Sequence, residues 1–282
     1  MNPLDVIVGH EATLRLGTFV LVLAALAAAE RRWPARGDTR PARRQLSNLA
    51  LVAIDTAVLR LAFPLLAVVF AAQVHARGGG LFGALAWPSW LEVALAVLLL
   101  DAAIYWQHRL LHRVPFLWPL HRVHHSDIAI DVTTGVRFHP LEIALSMLVK
   151  LALVVALGMH PAAVVTFEIL LSVASLFTHA DFAFPPRVER LVRAAVVTPS
   201  MHRIHHSVRR EETDCNYGFL LSAWDRVFGS YRRRPAEPER SMPIGLPQWR
   251  DPAGLGLGAL LLQPFRRAPH PPANPGKDIP HA

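Results

Sequence analysis

Residues 121–125 read HRVHH, and the same arrangement returns at 202–206 as HRIHH. A looser cluster, HRLLH, stands at 108–112. Side chains three and four positions apart on an α-helix share a face. On that geometry His108 and His112 lie one above the other. His121, His124 and His125 share a face at i, i+3 and i+4, and His202, His205 and His206 do the same. Neutral imidazole is a good ligand for zinc, copper, iron and nickel. One ion takes about three to six ligands, so eight imidazoles predict two ions close together. A lone HxxxH pair carries little weight, and interfacial histidines binding lipid phosphate are the plain alternative. Two HxxHH boxes beside a third cluster favour the metal.

The boxes adjoin long apolar runs. The chain has 282 residues, of which 52% are hydrophobic and 18% charged, more apolar than an ordinary soluble protein. A helix crossing a bilayer needs roughly 20 apolar residues. Runs of that kind occupy Leu14 to Ala29, Leu46 to Val74, Trp87 to Trp106, Leu141 to Met159 and Pro161 to Thr178. The expectation is an all-α integral membrane protein with four to five transmembrane helices and a cytosolic, histidine-lined helical cap. The first run reads as an uncleaved anchor, because the segment before it is acidic where a secretory signal is basic.

Arginine placement sets the expected orientation. Six arginines between Arg31 and Arg44 mark a cytoplasmic loop, whereas 75–86 carries Arg77 alone. Segment 107–138 and everything after about His179 are again arginine-rich, which puts all three boxes on the cytoplasmic side. The net charge of +8 is then a matter of topology and anionic head groups rather than nucleic acid. The arginines inside the boxes, Arg109, Arg122 and Arg203, are expected to snorkel to head groups. The expected division is membrane-anchor helices over 1–100, a catalytic core over 101–235 and a proline-rich, partly disordered tail over 236–282.

One cysteine, Cys215, excludes an internal disulfide and a four-cysteine iron–sulfur site. HExxH is absent, which argues against a zinc protease, and no GxGxxG motif offers a nicotinamide site. Two further classes remain open. A membrane b-type haem protein would hold its porphyrin between paired histidines deep in separate spans. A metal carrier would place its site near the bilayer midplane.

The ordered set HRLLH, HRVHHS, RFHPLE, FTHAD, TPSMHRIHH, NYG and WDRVFGS, between about Asp101 and Tyr231, resembles the fatty acid hydroxylase superfamily, also called the sterol desaturase family. The resemblance implies a multi-pass membrane enzyme, of bacterial inner-membrane type here, with a non-haem centre of two iron ions. It implies dioxygen-dependent hydroxylation of a lipid or sterol, with desaturation as the alternative outcome. Electrons would come from a separate reductase, ferredoxin or cytochrome. Carried over residue by residue, the metal ligands are His108, His112, His121, His124, His125, His202, His205 and His206. His179 in FTHAD and His139 in RFHPLE are further candidates, His139 having a helix cap as its alternative role. Asp101 or Glu142 is expected to accept the outer N–H of a ligating histidine. Asn216 is a further supporting candidate, while Trp224 and Asp225 read as structural.

Overall fold

The computed structural model describes residues 3–38, 41–63, 67–85, 87–251, 254 and 256–268. Among them the α-helices run in the order α1 Pro3–Gly9, α2 Glu11–Arg32, α3 Ala42–Ala62, α4 Ala67–Ala76, α5 Gly80–Gly83, α6 Ser89–Arg113 and α7 Trp118–His125. After a 3-10 turn at Val132–Val136 come α8 Pro140–Leu157, α9 Pro161–His179, α10 Pro186–Ala195, α11 Pro199–His205, α12 Arg210–Thr213, α13 Ala223–Val227 and α14 Leu257–Leu262. No strand appears among the described residues, only isolated bridges.

The local sequence explains where the central helices start and stop. Pro140, Pro161 and Pro199 fill first-turn positions, where a missing N–H costs nothing. The residue before each supplies a cap: His139 Nδ1 accepts from Leu141 N at 3.2 Å, His160 Nδ1 from Ala162 N at 3.1 Å, and Thr198 Oγ1 from Met201 N at 3.2 Å. Gly158 ends α8 at φ 67°, and a Cβ there would lie 1.7 Å from the Gly79 carbonyl oxygen. Only glycine fits both requirements.

Among the described residues, five stretches are long and apolar enough to cross a membrane: α2, the Ala42–Gly83 stretch containing α3 to α5, α6, α8 and α9. They correspond to the five apolar runs. The bundle exposes large apolar side chains and buries charged ones beside its apolar core. Leu16, Leu21 and Leu61 are 66%, 69% and 83% exposed, whereas Arg44, Asp101 and Glu142 are buried. That distribution suits a hydrocarbon solvent and would be costly in water. Small side chains, Ala67, Ala71, Ala96 and Ala163, let the helices approach closely in the buried core.

The boundary expected at 100/101 falls inside α6, which is one helix. The C-terminal stretch is packed as far as Gln263: Leu260 is buried with Leu51 and Val123, and Gln263 is 2% exposed. The rest of the expected tail, 269–282, lies outside the described residues.

Candidate metal centre

α6, α7, α9 and α11 bring nine histidines together at one end of the bundle. They form two groups, each with its ligand atoms within 4.8 Å of one another. The first holds His108, His112, His121, His125 and His205, and the second holds His124, His179, His202 and His206. Each HxxHH box therefore serves both groups. In α7 the i and i+4 residues join the first group and the i+3 residue the second, and in α11 the assignment is reversed. Consecutive helical residues differ by about 100°. A short helix lying between two centres can thus send His124 one way and His125 the other. Single-face reading had missed this sharing. The groups are contiguous, with the His125 and His206 rings stacked at 4.5 Å and 15°.

All nine rings are at most 4% exposed. Hydrogen bonds at Nδ1 fix several of them. His108 donates to Tyr217 O at 2.7 Å, His205 to Cys215 O at 2.7 Å, His179 to Ser175 O at 2.7 Å, His124 to Arg137 O at 3.3 Å, and His121 to Glu142 Oε1 at 2.8 Å. A neutral ring that donates through Nδ1 carries its lone pair on Nε2. In the first group all five Nε2 atoms are buried without a hydrogen-bond partner. In the second, His179 Nε2 lies 3.0 Å from His124 Nε2, 3.0 Å from His202 Nε2 and 3.2 Å from His206 Nε2. Since His179 and His124 both donate through Nδ1, two lone pairs face each other at 3.0 Å. A shared cation resolves that repulsion. Nitrogens about 2.1 Å from one ion sit roughly 3.0–3.4 Å apart, so the spacing fits a metal.

Burial, reinforced by neighbouring rings, lowers the proton affinity of His124, His125, His202 and His206 well below the usual histidine range. His205 is brought down to about 3 by burial, against the pull of its hydrogen bond to Cys215. Neutral, ligand-ready imidazole is therefore the ground state of these five at physiological pH.

His139 joins neither group: beside its capping bond, its Nε2 lies 3.1 Å from Leu261 O. Of the two carboxylates expected behind the ligands, Glu142 touches His121, while Asp101 does not reach a histidine. Asp101 accepts from Leu220 N, Leu221 N and, at 2.8 Å, Trp224 Nε1, so it ties α6 to the 215–231 loop. Asn216 acts through the main chain. Held at φ 50°, it bonds Met201 O at 2.9 Å, Arg232 O at 3.0 Å and Arg232 N at 2.8 Å. Its neighbours Cys215 and Tyr217 are thereby placed to present their carbonyls to His205 and His108. Asp225 accepts from Tyr217 N at 2.7 Å and Gly218 N at 2.9 Å, bracing the same turn.

The box arginines do not reach out to a head-group layer as expected. Arg203 is fully buried, paired with Glu239 and bonded to Ala180 O at 3.2 Å. Arg122 is 7% exposed and donates to the carbonyls of Gln263 and Arg266. Arg109 donates to Tyr105 Oη at 3.1 Å and Phe228 O at 3.2 Å. Arg44, counted among the loop arginines, is fully buried and pairs with Asp127 at 2.5 Å and Asp131 at 2.6 Å. Burial opposes ionisation of Asp131, but Arg44 outweighs it and holds the carboxyl down at about 2. This network pins α3 against the segment leaving α7.

A cavity of about 360 Å³ runs between α2, α3, α6, α8 and α9 and ends on His108, His121 and Phe219. Another, of about 300 Å³, reaches His112 past Trp118 and Trp249.

Helices long and apolar enough to span a membrane thus meet at two buried histidine groups, each able to hold a metal ion, with a cavity leading to the first. Residues 93–230 match the fatty acid hydroxylase family model, so this segment is a fatty acid hydroxylase domain. The ornithine lipid hydroxylase OlsE of Rhizobium tropici is 29% identical over 181 residues, covering 64% of this chain and 52% of that protein. Human alkylglycerol monooxygenase is 30% identical over 154 residues, 52% of this chain and 32% of that protein. Mouse cholesterol 25-hydroxylase is 26% identical over 145 residues, 51% of this chain and 48% of that protein. The chain thus spans about half or less of the length of these relatives. No solved structure matches it.

Proposed function

We propose that this protein is a membrane-bound monooxygenase that hydroxylates a C–H bond of a lipid or sterol, using dioxygen and electrons from a separate carrier protein. The observation behind this reading is the set of five partnerless Nε2 atoms and four converging ones at the end of an apolar cavity. The nine histidines would hold two iron ions, five rings at one and four at the other. Bound there, iron supplies dioxygen activation and the oxidising power to break an unactivated C–H bond, which redox-inert zinc does not.

The protein's own residues prepare and protect that chemistry. Glu142 and the carbonyls of Tyr217, Cys215, Arg137 and Ser175 hold the rings so that each Nε2 lone pair points inward. The apolar walls of the cavity, including Leu111, Met147 and Phe219, exclude water and align hydrocarbon against His108 and His121. Hydroxylation is favoured over desaturation because the matched relatives are named hydroxylases and monooxygenases. A b-type haem reading fits poorly: ring centroids 4.4–4.8 Å apart, as in His179–His202 and His124–His179, leave no slot for a porphyrin. The arginine-rich loops at the histidine end favour a cytoplasmic centre.

The test is elemental analysis of purified protein together with lipid analysis of cells with and without it. Two irons per chain and a lipid one oxygen heavier support the proposal. Stoichiometric zinc with no oxygenated product would end it.

A further inference from the structure

The cavity that ends on His108 and His121 also holds charged groups which the metal centre does not use. Lys150 from α8 pairs with Glu168 Oε1 from α9, and Arg15 Nη1 from α2 lies 3.1 Å from Glu168 Oε2. All three line the cavity, and the Lys150 and Glu168 side chains are only 14% and 8% exposed. Ionisable side chains inside spanning helices are costly and mark substrate or ion pathways.

A staple joining α2, α8 and α9 is the plain alternative, but a staple needs no opening onto a cavity, and these three side chains line the one that reaches His108 and His121. Lysine carries three N–H groups, and Glu168 Oε1 takes one of those on Lys150, while Arg15 is shared between Glu168 and Glu11, 3.6 Å away. The same cavity is lined by Leu59, Ile104, Met147 and Leu171, and also by the buried Asp55. Glu142, which contacts His121, and Lys150 lie on the same helix, eight residues or about 12 Å apart along its axis. The cavity therefore carries a charged cluster about two helical turns from its histidine end, with apolar side chains among its walls.

We propose that Lys150 and Arg15, held in place by Glu168, anchor the polar end of a single-chain or sterol-like amphiphile through its hydrogen-bond acceptor, a hydroxyl, carbonyl or carboxylate oxygen. Its hydrocarbon runs to His108 and His121, so the carbon presented to the centre lies about 12 Å from the polar group. This rests on the hydroxylase reading for its chemical outcome, while the binding geometry stands by itself. At about 360 Å³ the cavity is near the small end of ligand sites, too small for a whole diacyl phospholipid.

The test uses the full chain in phosphatidylcholine nanodiscs and two photoactivatable probes. One is a long-chain alcohol with a diazirine about 12 Å from its hydroxyl, and the other is the same chain without the hydroxyl. The alcohol should crosslink to the peptides carrying Leu111 and Phe219 about tenfold more than the hydrocarbon does. Lys150→Met combined with Glu168→Gln removes the pair without stranding a buried charge. It should abolish that preference, and Lys150→Arg should retain it. Equal labelling by the two wild-type probes would overturn the anchor even if the double variant does not fold. So would a folded double variant that keeps the preference while losing only thermal stability. The outcomes separate the two proposals. Iron and hydroxylation without the probe preference sink the anchor alone, whereas the preference without iron sinks the hydroxylase reading and leaves a lipid site.

Discussion

Glu142→Gln tests the logic of the histidine cage directly. His121 Nδ1 donates to Glu142 Oε1 at 2.8 Å, and both side chains are at most 4% exposed. A hydrogen bond to a charged acceptor contributes about 1.5–3 kcal/mol and a neutral one about 1 kcal/mol, so the amide forfeits about 1–2 kcal/mol. With tenfold per about 1.4 kcal/mol, metal affinity at the first group should fall roughly 5- to 30-fold. Only His121 of the five rings in that group is touched, and none in the second, which makes the loss selective. The assay is a competitive-chelator titration of the purified protein followed by metal counting. The variant should give up one ion at chelator concentrations where wild type keeps both. His139→Ala is the matched control, because His139 sits at the start of the same helix and joins neither histidine group. Unchanged chelator resistance in Glu142→Gln, or equal loss of both ions, would refute the reasoning.

Asn216→Ala removes three hydrogen bonds and leaves a non-glycine residue at φ 50°, so it should cost about 2–4 kcal/mol and broaden metal binding. Asn216→Gly relieves the backbone but not the lost bonds, and a melting temperature equal to wild type in that variant would contradict the bracing role. His139→Ala should leave two metals bound and cost about 1 kcal/mol of helix capping in thermal denaturation, so a missing metal ion would return His139 to the ligand set. Asp131, with its carboxyl held down at about 2 against an ordinary 3.8, stabilises the fold fully above about pH 4 and loses that contribution as pH falls through about 2. The stability gap between wild type and Asp131→Asn should be about 2 kcal/mol at pH 6 and close on acidification; a gap independent of pH would show that Arg44 does not act through that charge.

The spanning helices, the ligand residue types and their approximate number were legible because they are local properties. Apolar runs of bilayer length declare a span wherever they occur, and HxxxH and HxxHH spacing presents imidazoles together whatever lies opposite. What periodicity could not reveal was how the rings are shared. Whether His124 joins His121 or His202 depends on α7 and α11 each presenting rings to both centres. The ring-orienting acceptors were equally hidden, since every residue has a carbonyl and only the turn around Asn216 aims those of Cys215 and Tyr217. Charge signs misled in the same way. An arginine count locates a loop, but Arg44 and Arg203 are fully buried because Asp127, Asp131 and Asp181 arrive from distant segments to meet them. Sequence by itself determined the helices and the chemistry each face offers, because backbone periodicity is written in neighbours. Tertiary structure alone decided which faces meet, because contacts between residues far apart in the chain exist only after the helices pack.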